Sequence, residues 1–353
     1  DSFFFKLSSW EKKLLEFYDK NEKFILPISR RNEVINFVKS GLKDLSVSRT
    51  SFTWGIKVPN NDKHVIYVWL DALTNYLSAL NFPDTNDNLY KNFWPASVHV
   101  IGKDILRFHA IYWPAFLLAA NISPPRRVFG HGWILSGDEK MSKSKGNILD
   151  PLEIVDKYGL DPLRYYLIKE VSFGNDGNIS NENIENCINS DLANNYGNFC
   201  QRTFSFAEKY CKSEVPSDID FNSEDLKILN SFSNNINKIR SFMDNQQLNE
   251  YVKFIVDKSF DANKYFNDEA PWNKKDDKRR LNTIVYVSLE IIRKISILLL
   301  PIIPYSANKA LASLNLSTKT LKLSSITDHL INKSGTKIIN QGILFKKIEK
   351  NND

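Results

Sequence analysis

The chain has 353 residues, 42% hydrophobic, 12% aromatic and 25% charged, enough to bury a sizeable core and to divide into two domains. Its net charge of +6 suits a polyanionic partner without requiring one. The three cysteines, Cys187, Cys200 and Cys211, lack the even count or CxxC spacing of a disulfide framework or metal site, which fits a reduced, cytoplasmic setting. The longest apolar run, 297–303, contains Pro301 and falls short of the roughly 20 residues of a membrane span, which excludes a membrane-spanning protein.

The sequence opens on Asp1 in place of Met and runs straight into Ser2-Phe3-Phe4-Phe5, which reads as part of a longer protein. Apolar residues recur at helical spacing over 8–18 (Leu14, Leu15, Tyr18) and 32–42 (Val34, Ile35, Val38, Leu42), predicting two short amphipathic helices. Alternation over 45–48 and 54–58 and a buried-type run over 64–69 predict strands, followed by a helix over 71–80. Residues 97–102 read as a strand ending in Gly102, 104–120 as an apolar helix, and 127–130 as a second strand ending in Gly130. This order is a βαβ unit, the builder of parallel sheets whose ligands sit at the carboxyl ends of the strands.

Further on, Asp150-Pro151-Leu152-Glu153 is a capped helix start, Gly159 its end, and Asp161-Pro162 a second start. From about residue 177 the pattern is helical throughout, over 180–211, 223–243, 247–267 and 278–300, which predicts an α-helical bundle. Pro301 and Pro304 break the last helix, and 342–345 reads as a strand. The fold class is therefore α/β followed by all-α.

Chemistry concentrates in Glu139-Lys140-Met141-Ser142-Lys143-Ser144-Lys145-Gly146-Asn147, which delivers three ammonium groups on a glycine-bracketed loop directly after a strand. Phosphoryl chemistry asks for mobile cations at a strand end, because catalysis there consists of positioning and of neutralising charge on departing oxygens. Lys140 and Lys143 are the candidates. Two apolar stripes accompany them: Trp69, Ala72 and Tyr76 at i, i+3, i+7, and Ile105, His109 and Trp113 at i, i+4, i+8. Spacing alone describes a helix core equally well. It also describes two walls of a slot for an apolar, polarizable thioether.

Lys140-Met141-Ser142-Lys143-Ser144 matches the second signature of the class I aminoacyl-tRNA synthetases. The segments Val100-Ile101-Gly102-Lys103-Asp104-Ile105-Leu106-Arg107-Phe108-His109, Tyr112-Trp113-Pro114-Ala115 and Tyr67-Val68-Trp69-Leu70-Asp71-Ala72-Leu73-Thr74-Asn75-Tyr76 closely resemble the methionyl-tRNA synthetases within that class. The resemblance is strongest over 54–177 and thinner beyond. It implies the second half of a Rossmann-type nucleotide-binding domain followed by an anticodon-binding helical bundle. The implied division is 1–135 for the tail of a connective insertion and the second half of the catalytic domain, 136–177 for the lysine loop and stem-contact region, and 178–353 for the bundle with its C-terminal tail. It further implies methionine at Trp69, Ala72, Tyr76, Ile105, His109 and Trp113, and ATP with Mg2+ at Gly102, Asp104, His131 and Lys143. The anticodon of tRNA(Met) falls to Asn198, Arg202, Pro271 and Trp272. Read by residue type, Asp104 is equally an ordinary helix cap, and Trp272 equally a bundle anchor.

The sequence departs from the family in one respect: none of its five histidines, His64, His99, His109, His131 and His329, forms the His-x-Gly-His first signature. The expectations that follow are a methionine–tRNA ligase, monomeric, whose present 353 residues alone do not form methionyl-adenylate. The alternatives are a sibling synthetase for leucine, isoleucine, valine or cysteine, and a non-catalytic tRNA-binding module.

Overall fold

The computed structural model describes residues 2–137, 139–141 and 149–349, Lys140 by its backbone alone. The chain forms two compact units, Asp1–Trp133 with Gly174–Asp176, and Ile134–Phe173 with Gly177–Asp353. Among the described residues no helix is long and apolar enough to cross a membrane.

The first unit is built on a parallel sheet in the order Ile25–Leu26, Val128–His131, His99–Gly102. His99 lies opposite Val128 and Gly102 opposite His131, so the segment between them is the crossover of a βαβ unit. Helices Glu11–Lys20 and Ile28–Lys39 bury Leu14, Tyr18, Val34 and Val38 in one core with Ile101, Leu106 and Ile111.

The crossover is not the uninterrupted helix that its apolar content predicts. It runs as a 3-10 turn Lys103–Ile105, a π turn Phe108–Tyr112 and an α-helix Trp113–Ala119. Pro114 explains the break, since proline has no N–H to donate and its ring crowds the carbonyl four residues back. That carbonyl belongs to Ala110, and it accepts from the Tyr18 hydroxyl instead, at 2.7 Å.

A separate antiparallel sheet joins Ser48–Arg49, Asn61–Ile66 and Lys57–Val58. Here the expected boundary moves: the strand stops at Ile66, and Val68–Ser78 is already helical. Asp71 in the first turn favours the helix N-terminus, and Leu73 and Leu77 gain burial from helical spacing. Trp69 therefore opens a helix and does not end a strand.

In the second unit Glu139–Lys140, Ile134–Ser136 and Gly177–Asn178 make a small sheet. Helices Pro151–Tyr158 and Leu160–Lys169 follow. Asp150 accepts from the Leu152 amide at 2.8 Å, and Gly159 ends the first helix at φ 93°. Beyond lies the bundle: Asn181–Cys187, a π segment Ile188–Gly197, then Asn198–Tyr210, Ser223–Ser233, Ile236–Asp244, Leu248–Glu269, Lys278–Leu299 and Pro304–Ser313.

Two expectations fail here. The helix over 223–243 is split, and the Asn235 side chain donates to the Ser231 carbonyl at the break, the competition with helix that asparagine is prone to. Residues 342–345 form no strand, because Gly342 turns left-handed at φ 80° and Phe345 is drawn into the bundle core.

Tyr18→Phe would leave the Ala110 carbonyl without its donor in the core, and a loss of about 1–3 kcal/mol in chemical denaturation is expected. An unchanged midpoint would show that the π turn does not need that bond.

Candidate functional site

Helix Val68–Ser78 and the π turn supply an aromatic slot. Trp69 stacks on Phe108 with centroids 3.8 Å apart and planes 11° from parallel. Tyr76 meets His109 edge-on at 5.6 Å and lies over His99 at 4.1 Å, and Trp113 stands 6.4 Å from it. The slot also holds a polar pair. His109 Nδ1 is 3.0 Å from the Ile105 carbonyl, and a carbonyl only accepts, so Nδ1 carries the hydrogen. Nε2 then accepts from the Tyr76 hydroxyl at 2.9 Å.

Burial holds the His109 imidazole below its ordinary range, opposed by the Ile105 carbonyl, and pushes the Tyr76 phenol above its own. Both are neutral at pH 7, so this wall is polar but uncharged. Burial, then the His109 imidazole, takes His99 down to about 4.

Of the two predicted stripes, Trp69, Tyr76, His109 and Trp113 come together. Ala72 is exposed on its helix. Ile105 packs its side chain with the sheet-side core and serves the slot through its carbonyl. The uniform i, i+4, i+8 face therefore does not survive, because the π turn rotates the residues beyond it.

Gly102, Asp104 and His131 converge at the carboxyl ends of adjacent parallel strands. A Cβ on Gly102 would lie 2.6 Å from Asp104 Oδ1 and 4.0 Å from His131 Cε1, so glycine is what lets the carboxylate fold back over the strand end. Trp133 Nε1 donates to the same Oδ1 at 3.3 Å. Lys103 pairs with Asp176 at 2.7 Å and sits 4.2 Å from the Trp133 ring centroid. The Lys103 hydrogen bond, then the Trp133 amide, holds the Asp176 carboxyl below the usual carboxylate range. A cleft of about 550 Å³ opens here, lined among others by Arg30, Asp104, Arg107 and Phe108. Because Phe108 also stacks on Trp69, cleft and slot adjoin.

Sequence reasoning missed Lys103, Phe108, Trp133, Asp176 and His99. Lys103 and Phe108 stood inside a quoted segment, whereas Trp133 and Asp176 are joined only by the return of the chain at Gly174–Asp176. No local pattern signals such a contact.

Lys140 lies in the small sheet of the second unit, opposite Leu135. Lys143 lies outside the described residues. In the bundle, Asn198 is exposed at the start of its helix, one turn before Arg202. The Arg202 guanidinium lies 5.1 Å from the Phe266 ring and 5.9 Å from Trp272, and donates to Asn267 Oδ1 at 2.7 Å. Pro271 is buried, and Trp272 beside it is 40% exposed, an indole held by a turn that begins at left-handed Ala270. Arg202 and Trp272 are thus neighbours across 70 residues of chain.

A βαβ crossover with a glycine–aspartate strand end, continued by an all-α bundle, is an architecture of the class I synthetase type. Residues 1–204 match the family model described as tRNA synthetases class I (M), and residues 215–353 match the anticodon binding domain of methionyl tRNA ligase. The methionine–tRNA ligase of Rickettsia conorii is 49% identical over 352 residues, covering 99% of this chain and 69% of the relative. That of Brucella suis is 50% identical over 88% of this chain and 60% of the relative. The structure of Mycobacterium tuberculosis methionyl-tRNA synthetase in complex with methionyl-adenylate superimposes with a TM-score of 0.94 at 43% identity, over 98% of this chain and 68% of that one. The chain belongs to the methionyl-tRNA synthetase family of class I.

The low value of His99 carries a sign. The folded state holds it neutral at about 4 while the unfolded chain protonates near 6.5, so its full contribution is present above pH 6.5 and is lost as pH falls toward 4. The loss is about 3 kcal/mol. Chemical denaturation between pH 7.5 and 4.5 is expected to show His99→Phe losing less stability over that window than the parent. Parallel curves would contradict the assignment.

Proposed function

We propose that this chain is the part of a methionine–tRNA ligase that selects methionine and measures the anticodon of tRNA(Met). The observation that carries the reading is the neutral Tyr76–His109 pair set in an aromatic slot that adjoins the Gly102–Asp104 cleft. A thioether is apolar and polarizable and favours aromatic surroundings, and Trp69, Tyr76, His109 and Trp113 offer such surroundings with no charge to desolvate. Ala72 and Ile105 belong to the proposed methionine set through the family resemblance.

In the proposed reaction the methionine carboxylate attacks the α-phosphorus of ATP, pyrophosphate leaves, and a hydroxyl of the terminal tRNA ribose then takes the methionyl group and releases AMP. Asp104 accepts from the ribose hydroxyls, Gly102 gives them room, and His131 borders the adenine. Lys140 and Lys143 neutralise charge on the departing phosphates, the term that dominates such chemistry. Mg2+ accompanying ATP would add to that neutralisation. In the bundle, Trp272 offers an indole platform to an unstacked base while Asn198 and Arg202 read base edges. Pro271 sets the turn that presents the indole. A cytoplasmic monomer completes the reading.

Methionine-dependent exchange of pyrophosphate into ATP by the complete enzyme, unsupported by leucine, is the test. Exchange driven equally by leucine would overturn it. In that enzyme Lys143→Ala is expected to slow adenylate formation about 100-fold or more with methionine affinity nearly unchanged. An unaltered turnover would remove Lys143 from the chemistry. The 353 residues alone, without a His-x-Gly-His tetrad, are expected to show no exchange.

A further inference from the structure

Four lysines of the bundle are neutralised within their own helices. Lys227 pairs with Glu224, Lys253 with Asp257, Lys258 with Asp261 and Lys264 with Asp268, all at helical spacing. Other exposed lysines, Lys212, Lys238 and Lys274 among them, have no ion pair among the described residues, and three of this kind stand together. Lys209, Lys275 and Lys278 are exposed and form no ion pair among the described residues. They gather around one side chain: the Lys209 and Lys275 ammonium groups lie 5.4 and 5.8 Å from the Tyr210 ring centroid, and Lys278 donates to the Tyr210 carbonyl at 2.5 Å. That bond leaves Lys278 further N–H donors for an incoming acceptor.

The cluster is joined to the Arg202–Trp272 pair by a continuous run of rings. Trp272 lies 6.1 Å from Phe266, Phe266 lies 6.0 Å from Phe206, and Phe206 lies 4.4 Å from Tyr210. A cation thus stands at each end, Arg202 over Trp272 and the three lysines about Tyr210. Glu208, Asp276 and Asp277 are the nearby carboxylates in sequence, and Asp277 is engaged in capping the Arg280 amide.

We infer that Lys209, Lys275 and Lys278 form a phosphodiester-binding station that holds the RNA backbone of the anticodon loop where it leaves the Trp272 platform. The inference rests on the tRNA reading above and adds to it a second contact point, which reads no base. A positively charged groove that tracks the backbone beside a stacking platform is how single strands are gripped. Phosphate contacts of this kind add affinity without sequence information.

The test uses the protein with an RNA hairpin carrying the CAU loop and a second hairpin with altered loop bases, each titrated across a salt series. The Lys209→Ala/Lys275→Ala double variant is expected to weaken both hairpins by the same factor. It should also flatten the dependence of log affinity on log salt by about 0.7 per lysine removed. A Lys253→Ala/Lys264→Ala control, removing two paired lysines, is expected to leave that slope unchanged. If the hairpin binds with CAU preference and the first variant keeps the parental slope, the station is overturned while the tRNA reading stands. Equal flattening by the control would overturn it as well, since any bundle lysine would then serve. If the parent protein binds neither hairpin at low salt, both readings fall.

Discussion

Pro114 has no N–H, and much of the first unit follows from that. The crossover helix cannot close its turn onto Ala110, so the chain widens into a π turn just where His109 stands, and Tyr18 takes the released carbonyl. A straight helix would have continued the Ile105, His109, Trp113 stripe along one face. The wider turn separates Ile105 from it, so that Ile105 packs in the sheet-side core while its carbonyl fixes the tautomer of His109. That tautomer in turn decides which way the Tyr76 hydroxyl donates. A backbone defect at one residue thus becomes a defined polar pair in an otherwise apolar slot.

In the proposed function the slot and the cleft solve opposite problems with neighbouring residues. Ile105 belongs to the first and Asp104 to the second. An amino-acid side chain without charge is best met by rings and by polar groups that stay neutral, because an unpaired charge in such a pocket would cost several kcal/mol. A nucleotide, by contrast, is met where parallel strands end, with a carboxylate for hydroxyls and cations for phosphates. The crossover that follows the strand supplies both, and Gly102 leaves room for the Asp104 carboxylate at the strand end.

The bundle contains a second irregular segment, just ahead of the Asn198 helix. Ile188–Gly197 winds as a π helix immediately before Asn198, and Asn263 donates to both the carbonyl and the side-chain oxygen of Asn195 within it. Lys278–Leu299 is buried along most of its length; its Arg293 and Lys294 donate to the carbonyls of Ser325, Ile326 and Asp328, and Glu290, paired with Arg293, accepts from the Asn332 amide. The exposed Asn198 and the Arg202–Trp272 pair therefore sit on a scaffold in which buried Arg293 and Lys294 hold distant chain segments together.

Sequence alone determined the elements whose signals are local. The βαβ unit, the caps at Asp150 and Gly159, the helical bundle and the lysine-loop signature each depend on residues within one or two turns of one another, where periodicity and hydrogen-bond capacity are read directly. It also placed Gly102, Asp104 and His131 in one set, through the resemblance. Tertiary structure alone decided the rest. That Tyr76 meets His109, that Trp133 and Asp176 come together beside Asp104, and that Arg202 meets Trp272 all depend on partners far along the chain. Such contacts are chosen by which surfaces can be buried together and which orphaned polar groups then find a donor, and no window of sequence contains both halves of that choice.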